Sequence, residues 1–133
     1  MKKVFWLFVM GIMALGFTSC KDKNGVTGRV PDNLYGTWYG TISGAHGSTR
    51  DCMITFSKDG TFESIADYES TYSSSHTERR GTFSFSNNNI TLQGVRIDVD
   101  SDGNVDTDYN YTGTMEYHNT YLTGLYSDMK YRK

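Results

Sequence analysis

The chain has 133 residues, with 13 basic and 15 acidic side chains, a net charge of -2 and an aromatic content of 14%. This length is enough for one small domain and excludes a large multidomain architecture. Because the charge balance is slightly acidic, it argues against a nucleic-acid partner, and we expect none.

The first predicted element is a secretory signal over residues 1–19. Lys2 and Lys3 follow Met1, residues 4–17 are apolar apart from two glycines, and Thr18 and Ser19 precede Cys20. A charged start, a short apolar run and small residues before a cleavage point are typical of a cleaved signal peptide. The apolar run is shorter than the roughly 20 residues that a membrane-spanning helix needs.

The segment Phe17-Thr18-Ser19-Cys20 resembles the lipobox of bacterial lipoproteins. In that family the cysteine takes a diacylglyceryl group on its nucleophilic thiolate and becomes the first residue of the mature protein. The resemblance therefore implies that Cys20 is lipidated and that at least two acyl chains hold the protein on a membrane. Lys21 stands where an aspartate retains lipoproteins at the inner membrane, so the resemblance implies the outer membrane, on its periplasmic face or at the cell surface.

Residues 20–33 are predicted to be the lipidated cysteine and a flexible tether, because they are polar, contain two glycines and Pro31, and lack an apolar period. Without residues 1–19 the chain keeps 11 basic and 15 acidic residues, a net charge of about -4. Since Cys20 is acylated in this interpretation, Cys52 is the only thiol, and we expect no intrachain disulfide.

Residues 34–133 form the predicted domain, in which short alternating segments without a helical period indicate an all-β fold. In chain order we predict strands at residues 36–43, 50–57, 61–69, 77–86, at Ile90 with Leu92, at Val95 with Ile97 and Val99, and at residues 105–116 and 120–126. Eight sequential strands favour a single antiparallel up-and-down barrel, because closure removes exposed edges. A partly open meander and a two-sheet sandwich remain as alternatives.

Strand alternation also predicts which side chains face the core. The expected inward residues are Trp38, Ile42, Cys52, Ile54, Phe56, Phe62, Ala66 and Tyr68. Glu63, Asp67 and Glu69 fall on the opposite, solvent-facing side of the third strand. Cys52 is therefore interpreted as a small buried residue rather than a reactive thiol.

Two short motifs resemble the small lipocalin-like domains of bacterial lipoproteins: Gly-Thr-Trp at residues 36–38 and Asp-Gly-Thr-Phe at residues 59–62. The resemblance covers the whole predicted domain and implies a lipocalin-like, calycin-type barrel. It further implies that Trp38 closes one end of the barrel beneath a basic residue from the last strand, either Lys130 or Arg132. The chain lacks the C-terminal helix of larger lipocalins, and its short domain leaves less room for a cavity.

In an up-and-down barrel, alternate connections share one end. This rule places at one rim the connections at residues 43–49, 70–76, near Gly94 and 117–119, together with His46, His76 and His118. The other end receives the tight turns and the tether, so the mouth is predicted to point away from the membrane. We interpret the histidines as loop residues, because no local spacing supports a metal site.

We expect a non-enzymatic binding module, because the serines of residues 73–75 before His76 form a polar loop without the context of a nucleophile. One hypothesis is a small apolar or amphipathic ligand at the mouth, contacted by Tyr39, Tyr68, Tyr72, Tyr111 and Tyr121. The other is a filled barrel whose loops engage or inhibit another envelope protein. A mouth cavity above about 300 Å³ favours the ligand, and a filled interior favours the protein partner.

An acidic hairpin resembles the start of an EF-hand calcium loop, Asp-x-Asp-x-Asp-Gly-x-x-Asp, at Asp98, Asp100, Asp102 and Asp106. Tyr109 stands at the twelfth position, where such loops have a bidentate glutamate. The competing interpretation is a solvated hairpin, whose aspartates point outward while Val95, Ile97, Val99 and Val105 point inward. Weak calcium binding is the only cofactor that the sequence suggests.

Overall fold

The structure, a computed structural model, describes residues 29–133 without the side chains of residues 127 and 128. The predicted signal peptide, Cys20 and most of the predicted tether therefore lie outside the described residues. Within the described range, the chain contains no helix of the length and apolarity that crossing a membrane requires.

Eight antiparallel strands form one sheet in which every strand pairs with its neighbours in the sequence. After a 3₁₀ turn at Asp32–Leu34, the strands are β1 (Gly36–Ser43), β2 (Thr49–Phe56), β3 (Thr61–Glu69), β4 (Ser74–Ser86), β5 (Asn89–Val99), β6 (Val105–Tyr117), β7 (Leu122–Gly124) and β8 (Tyr126–Tyr131). Reciprocal backbone hydrogen bonds of 2.7 Å between Tyr39 and Arg132 join the end of the chain to β1. The predicted all-β, up-and-down barrel is confirmed, and its shape is consistent with a lipocalin-like barrel.

The division of residues 89–131 into strands differs from the prediction. The predicted fifth and sixth strands are a single strand, β5, and Gly94 lies inside it. Gly94 pairs with Gly81 of β4, where a Cβ on Gly94 would lie 2.0 Å from the Arg80 carbonyl oxygen. A glycine at this position permits two strands to approach closely. From the sequence alone, such a glycine cannot be distinguished from a glycine in a turn. The predicted eighth strand corresponds to β7, and β8 was not predicted.

Apolar side chains fill the end of the barrel at which β1 begins. The predicted inward faces of β1 to β3 are confirmed, since Trp38, Cys52, Ile54, Phe56, Phe62 and Ala66 are all buried. Residues from later strands complete this core, among them Ile90, Leu92, Met115, Leu122, Met129 and Tyr131. The interior is therefore packed over most of its length.

Trp38 lies at the closed end, as the lipocalin resemblance implies. Its side chain is 2% exposed, and its indole Nε1 donates a hydrogen bond of 2.8 Å to the Leu34 carbonyl oxygen. The basic residue over it is Lys133, whose Nζ lies 5.1 Å from the ring centroid. The prediction of Lys130 or Arg132 for this role is wrong, because both lie over Tyr121 instead.

Candidate functional site

The connections between the strands separate into two ends, as expected for antiparallel neighbours in sequence order. Residues 44–48, 70–73, 100–104 and 125 connect strands at one end, which we call the mouth. The connections at residues 57–60, 87–88 and 118–121 lie at the opposite, closed end. Asn33 donates a hydrogen bond of 3.2 Å to the Asn119 carbonyl oxygen, so the described chain enters at the closed end.

The continuity of β5 changes the predicted distribution of the histidines. His46 and His76 lie at the mouth end, in the first connection and near the start of β4. His118 belongs to the connection between β6 and β7 and lies at the closed end. The prediction that all three share one rim is wrong, because the turn predicted near Gly94 does not exist.

A cavity of about 250 Å³ opens at the mouth among β2, β3, β4, β5 and β8. The residues of its inner wall are Arg50, Ala66, Tyr68, Thr77, Arg96, Asp98 and Tyr126. The volume is slightly below the roughly 300 Å³ at which ordinary ligand pockets begin, and the core fills the interior beneath it. By the criterion of cavity volume, the structure favours the filled barrel with a protein partner, and the ligand hypothesis depends on the chemistry of the cavity walls.

Three arginines from different strands occupy inward positions at the mouth: Arg50 in β2, Arg79 in β4 and Arg96 in β5. Arg79 is the deepest, at 5% exposure, and lies one inward position below Thr77. Its Nη2 donates a hydrogen bond of 3.0 Å to the Tyr126 hydroxyl. Among the described residues, its Nε and Nη1 are buried and have no acceptor.

Aromatic rings surround two of these guanidinium groups. The Tyr126 ring centroid lies 4.3 Å from the Arg50 guanidinium carbon and 5.3 Å from that of Arg79. Arg50 also lies 5.3 Å from the Tyr68 ring, and Arg79 lies 5.6 Å from the Tyr111 ring. Burial lowers the pKa of Arg79, but the hydrogen bond to Tyr126 and the electrostatic effects of Tyr126, Tyr111 and Cys52 together raise it, so the side chain stays charged.

Asp98 faces the cavity, in contrast to the predicted solvated hairpin. It pairs across the sheet with Thr77, which donates a hydrogen bond of 2.6 Å to its carboxylate. The Nε of Arg96 lies 2.8 Å from the same carboxylate, but its N–H is not aligned for a hydrogen bond. Because Ile90 and Leu92 face inward in the continuous strand, alternation brings Arg96 and Asp98 inward and turns Val95 and Ile97 outward.

Two of the five predicted site tyrosines lie near these arginines. Tyr68 lines the cavity, and Tyr111 contacts Arg79 from β6. Tyr72 is in the connection between β3 and β4 and is 92% exposed. Tyr39 lies on the outer face of β1 at 57% exposure, and Tyr121 stacks on His118 at the closed end. The structure therefore does not bring Tyr39 or Tyr121 to the mouth cavity.

The sequence-based prediction missed Arg50, Arg79 and Tyr126. Arg50 lies on the same face of β2 as Cys52, and Arg79 lies on the same face of β4 as Phe83 and Phe85. Strand alternation therefore predicts an inward position for both arginines. Tyr126 could not be found in this way, because β8 was not predicted.

Two of the four predicted calcium ligands, Asp98 and Asp100, accept hydrogen bonds from protein groups. Asp100 accepts hydrogen bonds from the backbone N–H groups of Asp102 and Asn104 and from the Asn104 side chain. The Asn104 side chain is the main cause of the lowered pKa of Asp100. Asp102 and Asp106 are exposed, while Asp98 faces inward. Within residues 29–133, no three carboxylate, histidine or cysteine side chains are grouped so that they could hold a metal ion.

A larger groove of about 790 Å³ lies at the closed end, beside the first described residues of the chain. Lys58, Phe83 and Phe85 line it, and no polar side-chain atom of its walls is among the buried, unpartnered ones. The mouth is therefore the stronger candidate site, because one residue of its wall, Arg96, has a buried Nε donor without an acceptor among the described residues.

Comparison of the chain with family models, with curated proteins and with solved structures gives no match. The lipocalin resemblance consequently rests on the motifs at residues 36–38 and 59–62 and on the barrel topology.

Proposed function

We propose that the protein is a lipid-anchored lipoprotein of the outer membrane that binds a small amphipathic ligand at the mouth of its barrel and catalyses no reaction. The observation that carries this proposal is the mouth cavity, which joins two tyrosine rings to the half-buried guanidinium groups of Arg50 and Arg96. Rings such as those of Tyr68 and Tyr126 can pack on the apolar part of a ligand, while charged and hydroxyl groups orient its polar part.

The position of the chain entry supports a membrane-distal binding site. Asn33 is attached to the closed end through Asn119, and the predicted lipid anchor precedes it by 13 residues in the sequence. An anchor on that side directs the closed end towards the membrane and leaves the mouth open to ligands in the aqueous compartment.

The size of the cavity limits the ligand. About 250 Å³ accommodates a headgroup with a short chain, whereas Trp38, Phe56 and Tyr131 occupy the space beneath it. We therefore expect compounds of about eight carbons to be suitable probes.

The test is calorimetric titration of the mature Cys20→Ser chain with octanol, octanoate and octylammonium. Ser75 lines the cavity, and Ser75→Phe should fill it and weaken binding at least tenfold. Ser74→Phe is the matched control, because Ser74 is exposed and lies outside the cavity wall. Absence of binding of all three compounds to the parent, or equal binding to both variants, would contradict the proposal.

One observation favours protein interaction as a second function. Strand β7 pairs only with Met115–Tyr117 of β6, so among the described residues Val105–Thr114 has no strand on its second side. Such an edge can accept an extended segment of another protein by backbone hydrogen bonding. A photo-crosslinking residue in place of the exposed Tyr109, compared with one at Tyr39, would identify a partner specific to this edge.

A further inference from the structure

The free side of β6 presents backbone groups to which another strand can be added. Within the described residues, Val105–Thr114 pairs with β5 on one side and with no strand on the other. In an antiparallel strand, every second residue directs its N–H and C=O to the same side, so this edge offers a row of donors and acceptors. The pairing with β5 is regular over Val105–Asp108, and a register shift between Gly94 and Arg96 follows it. We therefore take Val105–Asp108 as the usable edge.

The mouth face of this edge is negatively charged. Asp106 lies directly opposite Asp98 of β5, and Asp108 lies opposite Arg96. Arg96 forms its ion pair with Asp98. Asp106 and Asp108 are exposed, and neither forms an ion pair with a described side chain. The carboxylate of Asp108 accepts one hydrogen bond of 2.9 Å, from the Asn110 backbone N–H.

No nearby cation compensates the charge of Asp106. Residues 97–114 contain five aspartates and no lysine, arginine or histidine. Like charges directly opposite each other on two strands are destabilising, and Asp98 and Asp106 form such a pair. A lysine or arginine on an added strand would be the cross-strand neighbour of Asp106 on its other side and would reduce this repulsion.

The outer face of the same edge is apolar. Val105 lies opposite Val99 and is 65% exposed, and Thr107 lies opposite Ile97. The half-buried Val95 continues this apolar row along β5. Apolar side chains on an added strand would extend the row and remove Val105 from water.

We propose that Val105–Asp108 binds an extended segment of a partner protein in which basic and apolar residues alternate. The basic side chains lie beside Asp106 and Asp108, and the apolar ones lie beside Val105 and Thr107. This inference rests on the second function proposed above, protein interaction at the β6 edge, and specifies the chemistry of the partner. In this mode of recognition, backbone hydrogen bonds supply affinity and alternate side chains supply specificity.

The first test varies the charge and the pattern of short peptides. Three labelled eight-residue peptides are titrated against the mature Cys20→Ser chain by fluorescence anisotropy: alternating Lys-Val, alternating Glu-Val, and four lysines followed by four valines. We expect the alternating Lys-Val peptide to bind at least tenfold more tightly than either of the others. Equal binding of the Glu-Val peptide, or of the block peptide, overturns the inference and leaves the edge as a docking site. If no peptide binds, both are overturned.

The second test examines backbone pairing without changing the protein. Two forms of the Lys-Val peptide are compared, one N-methylated at every lysine and one at every valine. Only one of these two sets of N–H groups can face β6, so we expect one form to bind at least tenfold more weakly than the other. Equal binding of the two forms overturns both the inference and interaction by strand addition.

The third test assigns the charge preference to the edge. Asparagine keeps the shape and an acceptor oxygen, so the chain with both Asp106→Asn and Asp108→Asn should fold and lose the preference for Lys-Val over Glu-Val. The matched control carries Asp51→Asn and Asp67→Asn, because these exposed residues are also an opposed pair and lie on the outer face of β2 and β3. A preference that persists in the first variant, or an equal loss in the control, overturns the inference.

NMR on the parent chain locates the bound peptide independently of any variant. We expect the Lys-Val peptide to shift the backbone amides of Val105–Asp108 and to slow their hydrogen exchange. Shifts confined to other strands overturn the inference. A dimer of the peptide-free chain with the same amides protected would assign the edge to a second copy and would also overturn it.

Discussion

Trp38 links the closed end of the barrel to the segment that enters it, through its hydrogen bond to the Leu34 carbonyl oxygen. We predict that Trp38→Ala lowers the free energy of unfolding by about 3–5 kcal/mol, the usual effect of truncating a large buried side chain. Chemical denaturation measures this change. Tyr39→Ala is the control, since Tyr39 is the next residue and is exposed. Equal midpoints for the two variants would refute the placement of Trp38 in the core.

His76 provides a test of pH dependence at the mouth end. Its hydrogen bond with Asp67, followed by that with Glu78, raises the pKa of His76. A histidine with a raised pKa in the folded state stabilises the fold below its unfolded pKa of about 6.5, and this contribution disappears as the pH rises through the folded value. Because the side chains are largely exposed, the contribution should stay below about 1 kcal/mol.

We predict that Asp67→Asn lowers the pKa of His76 in an NMR titration. The difference in unfolding free energy between the parent and Asp67→Asn should be larger at pH 5.5 than at pH 8. Asp51→Asn is a suitable control, because Asp51 lies beside Asp67 on β2 and bonds to Thr41 rather than to a histidine. A pKa of His76 that is the same in the parent and in Asp67→Asn would show that the contact with Asp67 does not form in solution.

Individual side chains also show how far the sequence could predict the site. The alternation of side chains along β2 correctly predicts that Cys52, Ile54 and Phe56 lie in the core. When every second residue of a strand is apolar, only one orientation of the strand buries all of these side chains. Arg79 occupies the same kind of position, but a charged side chain is expected in water and was not counted as inward. Its burial depends on Tyr126, and that contact lies 47 residues away in the sequence.

At the level of the elements, the pairing of Gly81 with Gly94 holds β4 and β5 at an unusually short separation. We predict that Gly94→Ala destabilises the fold by about 1–3 kcal/mol, because its Cβ would lie 2.0 Å from a backbone oxygen and the strands would have to shift. Thermal and urea denaturation measure the effect. Thr82→Ala, at an exposed position of β4, should change stability by less than about 0.5 kcal/mol. A Gly94→Ala chain as stable as Thr82→Ala would exclude the close approach.

The pairing of Gly81 with Gly94 explains why the sequence predicts some strand boundaries correctly and others incorrectly. The boundaries of β1 and β3 follow directly from alternation and from the Asp59-Gly60 turn. In β5, Gly94 interrupts the apolar pattern as a turn residue would, although the strand continues through it. The division into two strands then reversed the faces assigned to Val95, Ile97 and Asp98. The tertiary contact with Gly81 decides this point, and local sequence does not contain it.

At the scale of the whole described barrel, residues 29–133, the two ends differ in composition. The closed end contains the packed core, Trp38 and the entry of the chain, whereas the mouth contains the arginines, Asp98 and the cavity. A stable, filled base can hold the mouth residues in fixed positions despite the unfavourable burial of Arg79. The described chain enters at the closed end, so the proposed attachment to the membrane and the proposed ligand binding would involve opposite ends of the barrel.

The anchor leads to a prediction about the whole protein in the cell. Cys20→Ser should abolish labelling with radioactive palmitate and release the protein from the outer-membrane fraction, because no other residue of the predicted lipobox offers a thiolate. Cys52→Ser is the matched control. Cys52 is buried in the barrel, and burial raises the pKa of its thiol, so its replacement should leave labelling intact. Octanoate binding by the released Cys20→Ser chain should equal that of the anchored protein in membrane vesicles, since the described chain enters the barrel at the end opposite the mouth. Labelling that persists in Cys20→Ser would contradict the lipoprotein proposal, and weaker binding by the anchored form would contradict the orientation.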